Sequence, residues 1–263
     1  RPRRLNHEAC SSCHRNDVVN QPERLRQGLW IGPSCGQRKN HRHDKSTQRL
    51  KGRSMRVMYR SSVCTFTGHT GNWVAFKREG YQKLDLEPVR VGESDLYEAK
   101  LPVDGGGACQ WRLSNVTFGV VHKNPSQFGE DVIPGAGGGV VVVFDHNKPS
   151  RSGPSIEVGG DLVIRKDYYP WVKERFLGGH VKRVSLMGAE DIYLGYEALH
   201  AKKVYFEPVV HSDFILYSVE PKELKEGRYT RFTFPDGSVV ADGRPNSKFL
   251  KLEAIRKAAE AKP

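Results

Sequence analysis

Apolar residues are spread unevenly along this chain, and the change falls near residue 63. From Arg1 to Ser54 they stand alone, as Leu5, Val18, Val19, Leu25, Leu29, Trp30, Ile31 and Leu50. None of these repeats at the spacing of a strand or a helix. So little apolar area cannot offset the entropy of ordering, which predicts a disordered arm. From Val63 onward Val, Ile, Phe and Tyr come in dense runs. Trp73 to Phe76, Leu84 to Val91, Tyr97 to Leu101 and Gln110 to Val121 read as strands bounded by Gly, Asp and Pro. In Trp111, Leu113, Val116, Phe118 and Val120 the alternation breaks once, at Ser114-Asn115, where a bulge would reset the phase. Val140 to Phe144 is apolar on both faces and predicts a central, covered strand.

More strands follow at Leu162 to Ile164, Val181 to Leu186, Lys203 to Phe206, Phe214 to Val219, Tyr229 to Phe234 and Ser238 to Ala241. The last two flank Pro235-Asp236-Gly237, a hairpin signal because glycine accepts a positive φ. Pro170 to Phe176 predicts a short helix with proline in its first turn. Ser247 to Ala261 predicts a longer one, capped by Ser247, with Phe249, Leu252, Ile255 and Ala259 on the face packed against the sheet. Short strands with turns at intervals near ten residues predict a mostly β fold. Its expected form is a β-sandwich of antiparallel sheets with a C-terminal α-helix.

Charge sharpens the division. Residues 1–60 carry fifteen Lys/Arg against four acids, whereas residues 61–263 carry twenty-seven against twenty-six. The whole-chain net charge of +12 therefore describes the arm. The expected organisation is a basic arm over residues 1–60 and a β-rich domain over 61–263, with the polar stretch 145–154 as its best internal boundary. Two readings of the arm stand side by side: a basic tail, or upstream sequence outside the native chain, with Met55 or Met58 nearer its start. No window approaches the length of apolar sequence that spans a membrane as a helix.

Candidate chemistry is concentrated in the arm. Cys10-Ser-Ser-Cys13-His14 resembles the attachment motif of c-type cytochromes, in which two thiols bond haem and the imidazole ligates its iron. The same residues with Cys35 offer a zinc reading, although the second half of a zinc motif is missing. The expectation is a protein without a cofactor, with zinc and haem at Cys10, Cys13, His14 and Cys35 as alternatives. Nucleic acid enters as a partner only through residues 1–60, where a zinc module would favour phosphate contact.

In the β-rich part Cys64 and Cys109 sit at strand edges. A disulfide between them would close a loop of about forty-five residues and contribute roughly 3–4 kcal/mol. It would favour an oxidising compartment, the periplasm or an exported location, whereas two buried thiols would suit the cytoplasm. Gly135-Ala-Gly137-Gly138-Gly139 precedes its strand instead of following one, so it does not read as a nucleotide loop. Asp145-His146 and His211-Ser-Asp213 place carboxylates near imidazoles, but no catalytic motif accompanies them, and an enzyme is not expected. Asn115-Val-Thr117 fits a glycosylation sequon inside a predicted strand. Tyr168, Tyr169 and Trp171, with Arg175 beside them, form an aromatic and basic cluster that reads either as a partner-binding surface, since Tyr, Trp and Arg carry much interface energy, or as a core plug beside the short helix.

Two stretches carry a resemblance. They are Gly105-Gly-Gly-Ala-Cys-Gln-Trp-Arg-Leu-Ser-Asn-Val-Thr-Phe-Gly119 and Asp167-Tyr-Tyr-Pro-Trp-Val-Lys-Glu-Arg-Phe-Leu-Gly178. With the β-rich texture around them, the chain resembles exported bacterial proteins encoded beside type VI secretion effectors, some of which act as immunity proteins. The resemblance implies a non-catalytic, periplasmic protein that binds another protein and blocks a secreted toxin through a large interface.

Overall fold

The computed structural model describes residues 26–31, 49–92, 96–147, 155–189, 195–244 and 248–261. Among these residues the protein is mostly β, built from two sheets with one α-helix, α1 (Lys248–Glu260), near the C-terminal end. The ten-stranded sheet contains β1 (Arg26–Ile31), β5 (Val89–Arg90), β6 (Tyr97–Pro102), β9 (Val132–Pro134), β12 (Leu162–Arg175), β13 (Val181–Met187), β15 (Lys203–Val210), β16 (Leu216–Val219), β17 (Arg231–Thr233) and β18 (Val239–Val240). The eight-stranded sheet contains β2 (Leu50–Gly52), β3 (Met55–His69), β4 (Ala75–Leu86), β7 (Asp104–Gly106), β8 (Trp111–His122), β10 (Gly138–Val143), β11 (Ser155–Glu157) and β14 (Gly195–Glu197).

The main core is shared by the two sheets. Met55, Val57, Tyr59, Val116, Phe118 and Val142 from one meet Leu162, Ile164, Tyr168, Val204 and Phe206 from the other. Alternation explains the choice, because every second residue of a strand faces the same side. The break at Ser114 is a true bulge. Met58 pairs with Asn115 and Tyr59 with Leu113, so Ser114 is the extra residue, and four successive residues, Leu113 to Val116, are buried.

Several expectations need correction. The boundary at residue 60 falls inside β3, and Met55, Val57 and Tyr59 are core residues, so the folded unit takes in residues placed in the arm. Within that arm, β1 also pairs with both β15 and β6. One core draws on residues from both sides of the stretch 145–154. The sheets are mixed: β12 runs parallel to β15 and β16, and β10 runs parallel to β14. The predicted helix over 170–176 is instead the second half of β12. Proline is tolerated in that strand because Leu186, opposite Pro170, gives its amide to Ala136 on its other side.

Strand β12 also changes environment along its length. Tyr168 points into the main core, whereas Tyr169 points into a second one with Leu216, Phe234, Phe249 and Leu252 under α1. Val172 belongs to a third, with Val132 and Val184. Of the stripe predicted on the helix, Phe249 and Leu252 are buried and Ile255 packs beside them, while Ala259 is exposed. No helix among the described residues is long and apolar enough to cross a membrane.

Candidate binding surface

Strand β3 leaves the body of its sheet at Ser61. Up to Arg60 it lies between β4 and β8, and beyond Ser61 only β4 accompanies it among the described residues. The register jumps there, from Ser61 opposite Gly80 to Thr65 opposite Glu79, so residues 62–64 bulge out. The buried Ser61 hydroxyl holds the bulge. Its Oγ accepts the amides of Val63 at 3.1 Å and Cys64 at 2.8 Å and donates to the carbonyl of Cys109. That geometry brings the two cysteines together, and Cys64 and Cys109 form a disulfide with their Cα atoms 5.2 Å apart. Gly80 leaves room for it, since a Cβ there would run into the carbonyl oxygen of Cys64.

Past this staple, β3 and β4 form a two-stranded ribbon that turns at Thr70 to Val74. The turn is closed by the Thr70 amide on the Val74 carbonyl at 3.0 Å and the Trp73 amide on the Thr70 carbonyl at 2.9 Å. Thr70 Oγ1 accepts the Val74 amide at 3.1 Å. At the tip Trp73 is 83% exposed and holds φ at 61°. A bulky residue in left-handed backbone costs on the order of 1–2 kcal/mol, a strain that is found preferentially at functional sites. Val63, Phe66, Val74, Phe76 and Tyr81 are exposed along the same ribbon. The Arg78 guanidinium lies 5.6 Å from the Phe66 ring and 5.8 Å from that of Phe76. Residues 62–78 include His69, Lys77 and Arg78 and no carboxylate. The ribbon therefore presents apolar area with positive charge around it.

The residues singled out by sequence do not form this surface. Tyr168 and Tyr169 are buried, at 4% and 0% exposure, which corrects their reading as exposed contacts. Successive residues of a strand face opposite ways, so one tyrosine enters each core. Trp171 is half-buried, its Nε1 donating to Ser218 Oγ at 2.9 Å under the Lys173 ammonium, 3.4 Å from the ring. Burial holds the Lys173 ammonium below its ordinary pKa. Arg175 is exposed and bonded to Glu220 at 3.3 Å. Cys10, Cys13, His14 and Cys35 lie outside the described residues.

Three other features resolve structurally. His211 pairs with Asp167 at 2.7 Å and not with Asp213, and its ring stacks on Tyr169 at 5.0 Å. Arg256 of α1 donates to the Tyr169 hydroxyl at 3.0 Å, which ties the helix to this cluster. The glycine run is a packing device: a Cβ on Gly138 would run into the ring of Tyr168. Asn115 is buried and donates to Ser114 Oγ at 3.3 Å, so its sequon is not presented to solvent.

Sequence reasoning placed Trp73 to Phe76 in a strand and missed the tip as a site. The available signal was Thr70-Gly-Asn-Trp73, a turn carrying a large aromatic where a small polar residue is usual. Comparison with protein-family models, curated proteins and solved structures finds no match.

Proposed function

We propose that this chain is a non-catalytic, protein-binding β domain whose contact surface is the stapled ribbon β3–β4. The observation that carries this reading is the exposed, left-handed Trp73 at the ribbon tip. A rigid aromatic brings large contact area at little entropic cost, and interface hot spots are enriched in Trp, Tyr and Arg. The partner that fits is a protein with an apolar pocket rimmed by carboxylates, because the tip holds cations and no acid between residues 62 and 78. The sharpest form of this reading is an exported immunity protein that seats the ribbon in the active-site cleft of a secreted toxin. The Cys64–Cys109 disulfide is compatible with export.

The test uses the full chain and its Trp73→Ala variant as paired baits in extracts of the native host. A protein captured by the first is then purified and titrated against both. The expected result is one partner whose affinity falls at least tenfold with Trp73→Ala at an unchanged melting temperature. Equal affinity for the two baits would place the surface elsewhere.

A further inference from the structure

Strand β4 ends the eight-stranded sheet, and among the described residues its outer edge has no partner strand from Ala75 to Leu86. Edges of this length are ordinarily blunted by proline, by bulges or by charged side chains, lysine above all. Strand β4 has no proline and stays regular, since the irregularity in its pairing belongs to β3. Its charges alternate instead. Lys77, Glu79, Tyr81, Lys83 and Asp85 occupy one face, and all are exposed. The other face carries Phe76, Arg78, Gly80, Gln82, Leu84 and Leu86, and it continues the core side, where Met55 lies opposite Leu86 and Val57 opposite Leu84.

Two copies of one strand can pair antiparallel about a two-fold axis perpendicular to the sheet. Opposite side chains emerge on the same face only if that axis passes through a residue and not between two. Few registers keep most of the strand paired, and charge separates those. An axis through Glu79 or Lys83 sets that residue against itself. An axis through Gly80 sets Lys77 against Lys83, and one through Gln82 sets Glu79 against Asp85. With the axis through Tyr81, Lys77 faces Asp85 and Glu79 faces Lys83, each twice, and Tyr81 faces its own copy. On the reverse face Phe76 meets Leu86 and the Arg78 stem meets Leu84.

We propose that the open edge of β4 binds a second copy of this chain in that register, joining two sheets into one. The pairing is pre-arranged in the single chain. Lys83 already bonds Asp85 at 2.8 Å on its own strand, and the Asn147 amide holds Glu79 at 3.2 Å. Facing pairs would extend these contacts into a network across the axis, of the kind that stabilises cross-strand pairing. Two edge strands make a small interface, so a weak, concentration-dependent dimer is expected. This inference goes beyond the binding reading above and does not depend on it, since Trp73 lies beyond the paired segment.

The test is sedimentation equilibrium of the full chain over a dilution series, with the variants Lys83→Glu and Glu79→Lys. The wild type should approach twice the monomer mass at high concentration. Each variant alone sets like charges opposite one another and should weaken association at least tenfold. An equimolar mixture of the two should restore it, because each substituted position then faces an opposite charge. Both positions are exposed, so unchanged thermal melting will confirm that the variants fold. A wild-type chain monomeric throughout overturns the proposal, as do single variants that dimerise normally or a mixture that stays monomeric.

Discussion

Nε2 of His211 lies 2.7 Å from Oδ1 of Asp167, joining the segment between β15 and β16 to the middle of β12. The bond sits where the pairing of β12 slips by three residues, from Tyr168 opposite Val210 to Trp171 opposite Leu216. It therefore fixes the point at which β12 passes from one core to the next.

That bond gives the first prediction. The imidazole of His211, ahead of its positive neighbours, holds the Asp167 carboxyl below its ordinary pKa. A carboxyl depressed in the folded state stabilises it above the unfolded value of about 4, and the contribution is lost as pH falls through the folded value. The side chain is 41% exposed, so solvent screens the effect to about 1 kcal/mol or less. Urea unfolding should show Asp167→Asn less stable than wild type at pH 7 and the gap narrowing as pH falls below about 4.

His122 should govern stability at a higher pH. It is 4% exposed, both ring nitrogens are buried, and its ring lies edge-on to Phe128 at 4.8 Å. Burial pushes its pKa down to about 4 from an ordinary 6.5, so the folded state favours the neutral ring. The unfolded chain binds the extra proton between those values, and stability is lost as pH falls from 6.5 to 4. The loss is about 3 kcal/mol at the lower end. His122→Phe should remove it, flattening the pH profile of the melting temperature over that range.

The staple predicts a thiol phenotype. By loop entropy, opening the Cys64–Cys109 bond should cost about 4 kcal/mol. Gly80→Ala should act on the same bond, because the new methyl meets the Cys64 carbonyl oxygen. The expected outcome is free thiol in the variant under conditions that leave the wild type oxidised, read by alkylation and intact mass.

Gly138→Ala tests the seat of Tyr168. The ring lies where the methyl would go, and Gly188 stands against the same buried ring, so the ring does not yield easily. Overpacking of this kind costs about 1–3 kcal/mol and should appear as a lower denaturation midpoint at unchanged slope.

Trp73→Gly separates binding from stability. Glycine adopts left-handed backbone without the steric cost, so the variant should be about 1 kcal/mol more stable than wild type in the melt. It should nonetheless lose partner capture. A variant less stable than wild type would show that the tip is held by packing.

The elements that sequence made legible are those whose alternation meets a single core. The bulge at Ser114 was visible because burying four successive residues breaks a strict period. The disulfide was visible because both cysteines stood at strand edges. Strand β3 was largely missed: its buried half, Met55 to Ser61, adjoined an arm judged by charge, and its ribbon half faces solvent on both sides. The second half of β12 reads as a helix because proline suits a first helical turn, and its residues serve two cores in turn. The ribbon tip was illegible as a site for a related reason. Exposure is set by where β8 stops pairing with β3, at Arg60, and that is a property of the sheet.

Strand β12 supplies Leu162, Ile164 and Tyr168 to the main core, Tyr169 to the second and Val172 to the third. A strand threaded through three packed clusters leaves none of them able to open alone. Amide hydrogens along β12 should therefore exchange with solvent together, at the rate set by global unfolding. Those of the ribbon beyond Ser61 should exchange first, so the surface offered to a partner can yield while the body stays closed.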